Sequence, residues 1–178
     1  MNLLKERISD LFVTRFLRLG KNAEIKVTNA NGTENTVDLN ELVTKLDNAG
    51  AVETVTATNV ITAAESGKTF FLSAAAGFAS TLPAPAAGLR YKFVVATSPT
   101  SNGYTIATNG SANIIKGGVN ELEVDTGDDG PYSAVGDLIT LVANVAVVGD
   151  WLEVISDGTS WFLTGQTNAD GGVTIGST

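Results

Sequence analysis

The sequence predicts a mainly β protein, an antiparallel, jelly-roll-like β-sandwich preceded by an N-terminal helix and a small α/β segment. Three observations lead there. Strand-sized apolar runs recur about every 8–12 residues from residue 51 onward, separated by Gly, Pro, Asn and Ser. The composition is rich in small and β-branched residues, with 19 glycines, which suits short strands and tight turns. Charged residues make up only 17% of the chain, below the usual level of about 25%, while 43% hydrophobic content argues for a packed core rather than disorder.

The elements follow in order. Leu4, Ile8, Leu11, Phe12, Phe16 and Leu19 recur at steps of three and four, so residues 3–19 form a helix with one broad apolar face. Its acids come first and Arg15 and Arg18 last, the order the helix dipole favours, and Gly20 stops it. "EIKVTNANGTENTVDL" is a hairpin around Asn31-Gly32. Asn40 then caps a short helix, "ELVTKLDNAG", with Leu42, Val43 and Leu46 apolar and Gly50 at its end. A boundary is expected there, giving an anchoring or oligomerisation region (1–50), a β-sandwich domain (51–166) and a polar tail (167–178). Within the β domain, "VETVTATNVI", "KTFFLSA", "FASTLPAP", "LRYKFVVAT", "GYTIATN", "NIIKGG" and "DLITLVANVAV" read as strands. Pro83 and Pro85 end one of them. "VDTGDDGPYSAVG" reads as a loop, and no strict internal repeat is present.

Both tryptophans fall in the closing hairpin, "DWLEVISDGTSWFLTGQ". Alternation places Trp151, Glu153 and Ile155 on one face, and Trp161 and Leu163 together on a face opposite Phe162. Asp157-Gly158 supplies the turn. The expected role of Trp151, Asp157, Gly158 and Trp161 is structural, with the tryptophans closing one end of the sandwich.

Composition narrows the chemistry. Without cysteine there is no disulfide or thiolate metal site, and without histidine the commonest base and metal ligand are missing. The remaining candidates are carboxylates. Glu121 with Glu123, and Glu153 with Asp157, are spaced two and four apart, but nothing in that spacing shows the cleft a glycosidase needs. "EVDTGDDG" gathers Asp125, Asp128 and Asp129, with Asp137 further on. It lacks the EF-hand spacing and reads as a solvated turn. No cofactor, metal or catalytic residue is expected. No apolar run reaches the roughly 18 residues that span a membrane, and the N-terminus lacks the apolar core of a signal peptide.

Charge is divided unevenly. Residues 1–26 hold six of the eleven bases, whereas no base follows Lys116 and ten acids lie between Glu121 and Asp170. The bases are not interleaved with aromatics, so no nucleic-acid role is expected. The helical face around Leu4, Ile8, Leu11, Phe12, Arg15, Phe16 and Arg18 is too apolar to stay exposed, and association with other chains is the expected use.

Three stretches carry a resemblance: "TAAESGKTFFL" (Thr62 to Leu72), "TLPAPAAGLRYKF" (Thr81 to Phe93) and "VGDWLEVISDGTSW" (Val148 to Trp161). Together they resemble a β module of tailed-phage virion proteins, found on capsid decoration proteins, head fibres and some tail-fibre tips. The resemblance covers about residues 55–166 and implies a homotrimeric structural protein on the capsid surface, made in the host cytoplasm, with the major capsid protein as partner. The alternative it implies is a fibre tip that recognises host glycan through Trp151, Trp161 and Tyr132.

Overall fold

The structure is a computed structural model that describes residues 24–28, 32–48, 50–123 and 132–177. The expected helix over residues 3–19, with Leu4, Ile8, Leu11, Phe12, Arg15, Phe16 and Arg18, lies outside them, as do Asp125, Asp128 and Asp129. The chain divides into two compact units, Met1–Val43 and Thr44–Thr178.

In the first unit, β1 (Glu24–Thr28) and β2 (Glu34–Asp38) form an antiparallel hairpin in which Ile25 faces Val37. Gly32 sits in the turn at φ +83°, as the Asn-Gly signal predicts. Helix α1 (Leu39–Asn48) starts one residue before Asn40, so Asn40 lies inside it rather than capping it. Leu42, Val43 and Leu46 form an exposed apolar stripe on this helix.

The second unit is built from two sheets. The larger runs in the order β10 (Tyr132–Gly136), β9 (Ile115–Glu121), β13 (Trp161–Thr167), β12 (Trp151–Ser156), β7 (Arg90–Val95), β5 (Thr69–Leu72) and β3 (Val52–Val55). The smaller runs β14 (Val173–Gly176), β11 (Leu138–Leu141), β8 (Tyr104–Ala107), β6 (Ala79–Thr81) and β4 (Asn59–Val60). Both are mixed, which corrects the antiparallel, jelly-roll-like expectation. From β3 to β8 the chain crosses to the other sheet at every strand. Each arrival lies parallel beside the strand two earlier, so β3, β5 and β7 stack in one sheet and β4, β6 and β8 in the other. Three coils of a two-faced solenoid result. From β10 onward the pairing is antiparallel, except that β13 lies parallel to β9.

Two further expectations need correction. The "VDTGDDGPYSAVG" stretch is not loop throughout: its last residues form β10, which bends at Gly136 and Asp137 into β11 and so passes from one sheet to the other. A Cβ at Gly136 would lie 2.1 Å from the Gly176 carbonyl oxygen, so only glycine fits the bend. Nor is the stretch after residue 166 a polar tail. Val173 and Ile175 are buried, and β14 pairs with β11 along its whole length.

Inward residues of both sheets form one apolar cluster. On the larger sheet an aromatic string runs from Trp161 through Tyr91 and Phe70 to Phe93, with ring centroids 5.5–6.3 Å apart. The smaller sheet contributes Tyr104, Ile106, Ile139, Leu141 and Val173. The Tyr104 hydroxyl accepts from the Ala74 amide and has the Thr97 and Ala74 carbonyls within reach of its one proton, so its polar tip is satisfied where the ring is buried.

Candidate functional site

The closing hairpin is where alternation along the sequence acquires consequences. Leu152, Val154, Trp161 and Leu163 point into the core, and Trp151, Glu153, Ile155 and Phe162 point outward. The two tryptophans therefore do different jobs. Trp161 is fully buried, packs on Tyr91, and its Nε1–H has no hydrogen-bond partner. Trp151 stays half-exposed on the outer face, under the Lys92 ammonium at 4.6 Å from the ring centroid. Only Trp161 closes the core, which corrects the expectation that both do.

The turn is wider than a two-residue Asp-Gly loop, because Ser156 pairs with Trp161 and residues 157–160 lie between them. Asp157 Oδ1 accepts from the Thr159 and Ser160 amides and the Thr159 hydroxyl at 2.7–2.9 Å. The Ser160 and Thr159 hydrogen bonds hold its carboxyl below the ordinary carboxylate pKa. Gly158 supplies φ +103°.

The remaining outward side chains of the larger sheet fall into rows. In register across five strands stand Arg90, Ile155, Phe162, Lys116 and Val135, all exposed. Lys116 lies 5.9 Å from the Phe162 ring centroid. The next row places Thr69, Lys92, Glu153 and Thr164 side by side, and the one beyond it Phe71, Val94, Trp151 and Gln166. The Arg90 guanidinium donates through Nε and Nη2 to Glu153 Oε1.

Beside these rows is a groove of about 380 Å³ lined by Gly67, Lys68, Thr69, Arg90, Lys92 and Glu153, among others. Lys68 Nζ bonds Glu53 at 2.9 Å and Glu65 at 3.2 Å, which raises the Lys68 pKa, chiefly through Glu53. Burial pushes the Glu65 carboxyl upward, but hydrogen bonds from Thr62 and Lys68 outweigh it and leave the pKa lowered. From residue 50 onward the chain has four bases, and all four, Lys68, Arg90, Lys92 and Lys116, stand on this sheet or at the groove beside it.

The candidate carboxylates are occupied locally. Glu121 accepts from the Gly171 amide at 3.0 Å and Glu123 from the Asp170 amide at 3.2 Å, so both brace the loop before β14. Glu153 pairs with Arg90, and Asp157 organises its own turn. Asp137 is buried at the bend between β10 and β11. Tyr132 opens β10 opposite Val119.

Sequence reasoning passed over Asp150. It is buried, and its two oxygens accept from the Val147 and Asn168 amides, the Asn168 side chain and the Thr167 hydroxyl at 2.8–3.2 Å. It thereby ties the entry to β12 to the exit of β13. A signal was present in "VVGDW", an Asp placed immediately before an alternating strand and after a turn glycine.

Comparison with protein-family models, with curated proteins and with solved structures finds no match to this chain.

Proposed function

We propose that this chain is a structural β module of a tailed-phage virion, a capsid decoration protein that binds the outer capsid surface as a homotrimer and stabilises it. The observation that carries this reading is where the three resembling stretches lie. The third is far in sequence from the first two, yet together they supply β5, β7 and β12, which are neighbours in one sheet and share its outward face. A segment pattern that converges on one surface is what a shared module requires. The finer fold reading is a sandwich of two facing sheets, supported by the single apolar cluster to which both contribute. Threefold assembly gives each decoration unit three contacts to the shell, so modest individual contacts add through avidity.

The test is to mix the full-length protein with purified, tail-free capsids and measure both bound copies and capsid heat stability. Saturable binding in multiples of three, with a raised disruption temperature, is the expected result. Failure to bind, or binding confined to isolated tails, overturns it. A glycan-recognising fibre tip is the second reading, favoured by the outward-facing Trp151 beside Lys92 and by the groove next to it. Trp161, being buried, takes no part in it.

A further inference from the structure

A glycine that follows asparagine makes the backbone chemically labile, and the chain carries that dipeptide three times, at Asn31-Gly32, Asn102-Gly103 and Asn109-Gly110. The cause is steric. The amide nitrogen of the following residue can attack the asparagine side-chain carbonyl carbon, and a residue without a side chain leaves that nitrogen open and its backbone free to rotate. Asn31 lies outside the described residues, so the structure compares the other two.

Both asparagines are exposed, but only one of them is free. The Asn102 backbone amide and side-chain Nδ2 both donate to the Ala76 carbonyl, at 3.2 and 3.3 Å. Thr100, close by, is tied to the Ala75 carbonyl through its amide and its hydroxyl. Gly103 is wedged against β11, where a Cβ would stand 2.4 Å from the Leu141 carbonyl oxygen. The other pair sits in the turn between β8 and β9. That turn is held at its ends, by the Thr108 amide on the Asp137 carbonyl and the Thr108 hydroxyl on the Ala112 carbonyl. Between those ties Asn109 and Gly110 are both exposed, and neither has a hydrogen-bond partner among the described residues. Gly110 stands at φ +80°, and nothing lies within 4 Å of the place a Cβ would take.

We propose that Asn109 is a site of spontaneous deamidation, with the Gly110 amide nitrogen as nucleophile and water as the only co-reactant. The nitrogen bonds to the Asn109 side-chain carbonyl carbon. The bond from that carbon to Nδ2 breaks, and Nδ2 leaves as ammonia with the proton that Gly110 gives up. Water then opens the cyclic imide at either carbonyl, leaving aspartate or isoaspartate at this position. One water is consumed and one ammonia released, with no oxidant or reductant. The nitrogen attacks after losing its proton, so the rate rises with pH. Each event adds a carboxylate to a chain whose formal net charge is already −8. Isoaspartate also lengthens the backbone by one carbon where the chain crosses from the smaller sheet to the larger. This lability needs neither a capsid nor a second copy, so it stands apart from the decoration reading.

The test is to age the full-length protein at mildly alkaline pH, folded and in parallel in urea, and to follow conversion by mass spectrometry. Cleavage after Tyr104 puts Asn102 and Asn109 in separate peptides, and fragmentation locates the acid within each. In the folded protein, conversion at Asn109 is expected to run at least ~10-fold faster than at Asn102, whose hydrogen bonds and packed glycine must first give way. In urea the two rates converge, because the fold alone distinguishes them. In Asn109→Gln, an exposed change whose longer side chain closes the ring poorly, the product disappears from its peptide while circular dichroism is unchanged. Equal rates in the folded protein overturn the proposal, as does conversion at Asn109 that appears only in urea. A difference of the same size in both states also overturns it, since local sequence and not the fold would then set the rates. Product that persists in Asn109→Gln places the reacting amide elsewhere and overturns it too.

Discussion

At the residue scale, Trp161 sets the clearest expectation. Its ring fills the core against Tyr91, but its buried Nε1–H lacks a partner, and such a group costs about 1–3 kcal/mol. Trp161→Ala removes the ring and leaves a cavity, so it should destabilise by about 3–5 kcal/mol. Trp161→Phe keeps most of the apolar ring and deletes the unpaired donor. Its net cost should be about 1 kcal/mol or less, because lost contact and relieved polarity oppose each other. Urea unfolding of both variants measures this, and a Trp161→Phe loss well above ~1 kcal/mol would mean that relieving the N–H does not offset the lost contact. Trp151, on the other face, contributes little to the core, and its substitution reports on the surface instead. Alternation made the strand-mates of each tryptophan legible, but which face turns inward depends on the pairing of β12 with β13, so the expectation that both close the core held only for Trp161. Alternation did not reveal Asp150, whose value comes from four donors brought together by tertiary folding, two of them from Asn168.

At the scale of elements, strands were legible and their partners were not. "TFFL", "RYKFVV" and "WLEVIS" alternate as half-buried strands do, and all three are strands with one buried face. Period-two alternation is the same in parallel and antiparallel pairs, however, so the solenoid-like coiling of β3 to β8 left no local mark. The last strand escaped because "VTIG" offers only two apolar residues among small ones. Tyr91 of β7 gives this scale its prediction. Burial pushes its phenol pKa up to about 12, with the Glu65 charge adding to the effect, while its hydroxyl donates to the Thr62 carbonyl. A pKa higher in the folded than in the unfolded chain means the folded state holds the proton more tightly. The stabilisation is therefore complete below about pH 10, the unfolded value, and is lost as pH climbs through about 12. Stability should be flat from neutral pH to about 9 and fall steeply above 10, with the fall diminished in Tyr91→Phe. Urea midpoints across that range, with tyrosinate absorbance recorded alongside, check both parts; an unchanged slope in the variant would assign the loss to other groups, Tyr104 first.

For the whole molecule, a surplus of acids sets the response to salt. Residues 50–178 carry twelve acids and four bases, and the bases are gathered on the larger sheet. Within a copy, the surplus acids repel one another. Added salt screens that repulsion, since the screening length falls from about 30 Å at 0.01 M to about 3 Å at 1 M. The protein should therefore become more resistant to urea as salt rises. Urea is the right denaturant because guanidinium would itself supply the salt. Urea midpoints taken from 0.01 to 1 M salt measure this, and midpoints that ignore salt would mean that the acids stand too far apart, or are too well paired locally, to repel one another.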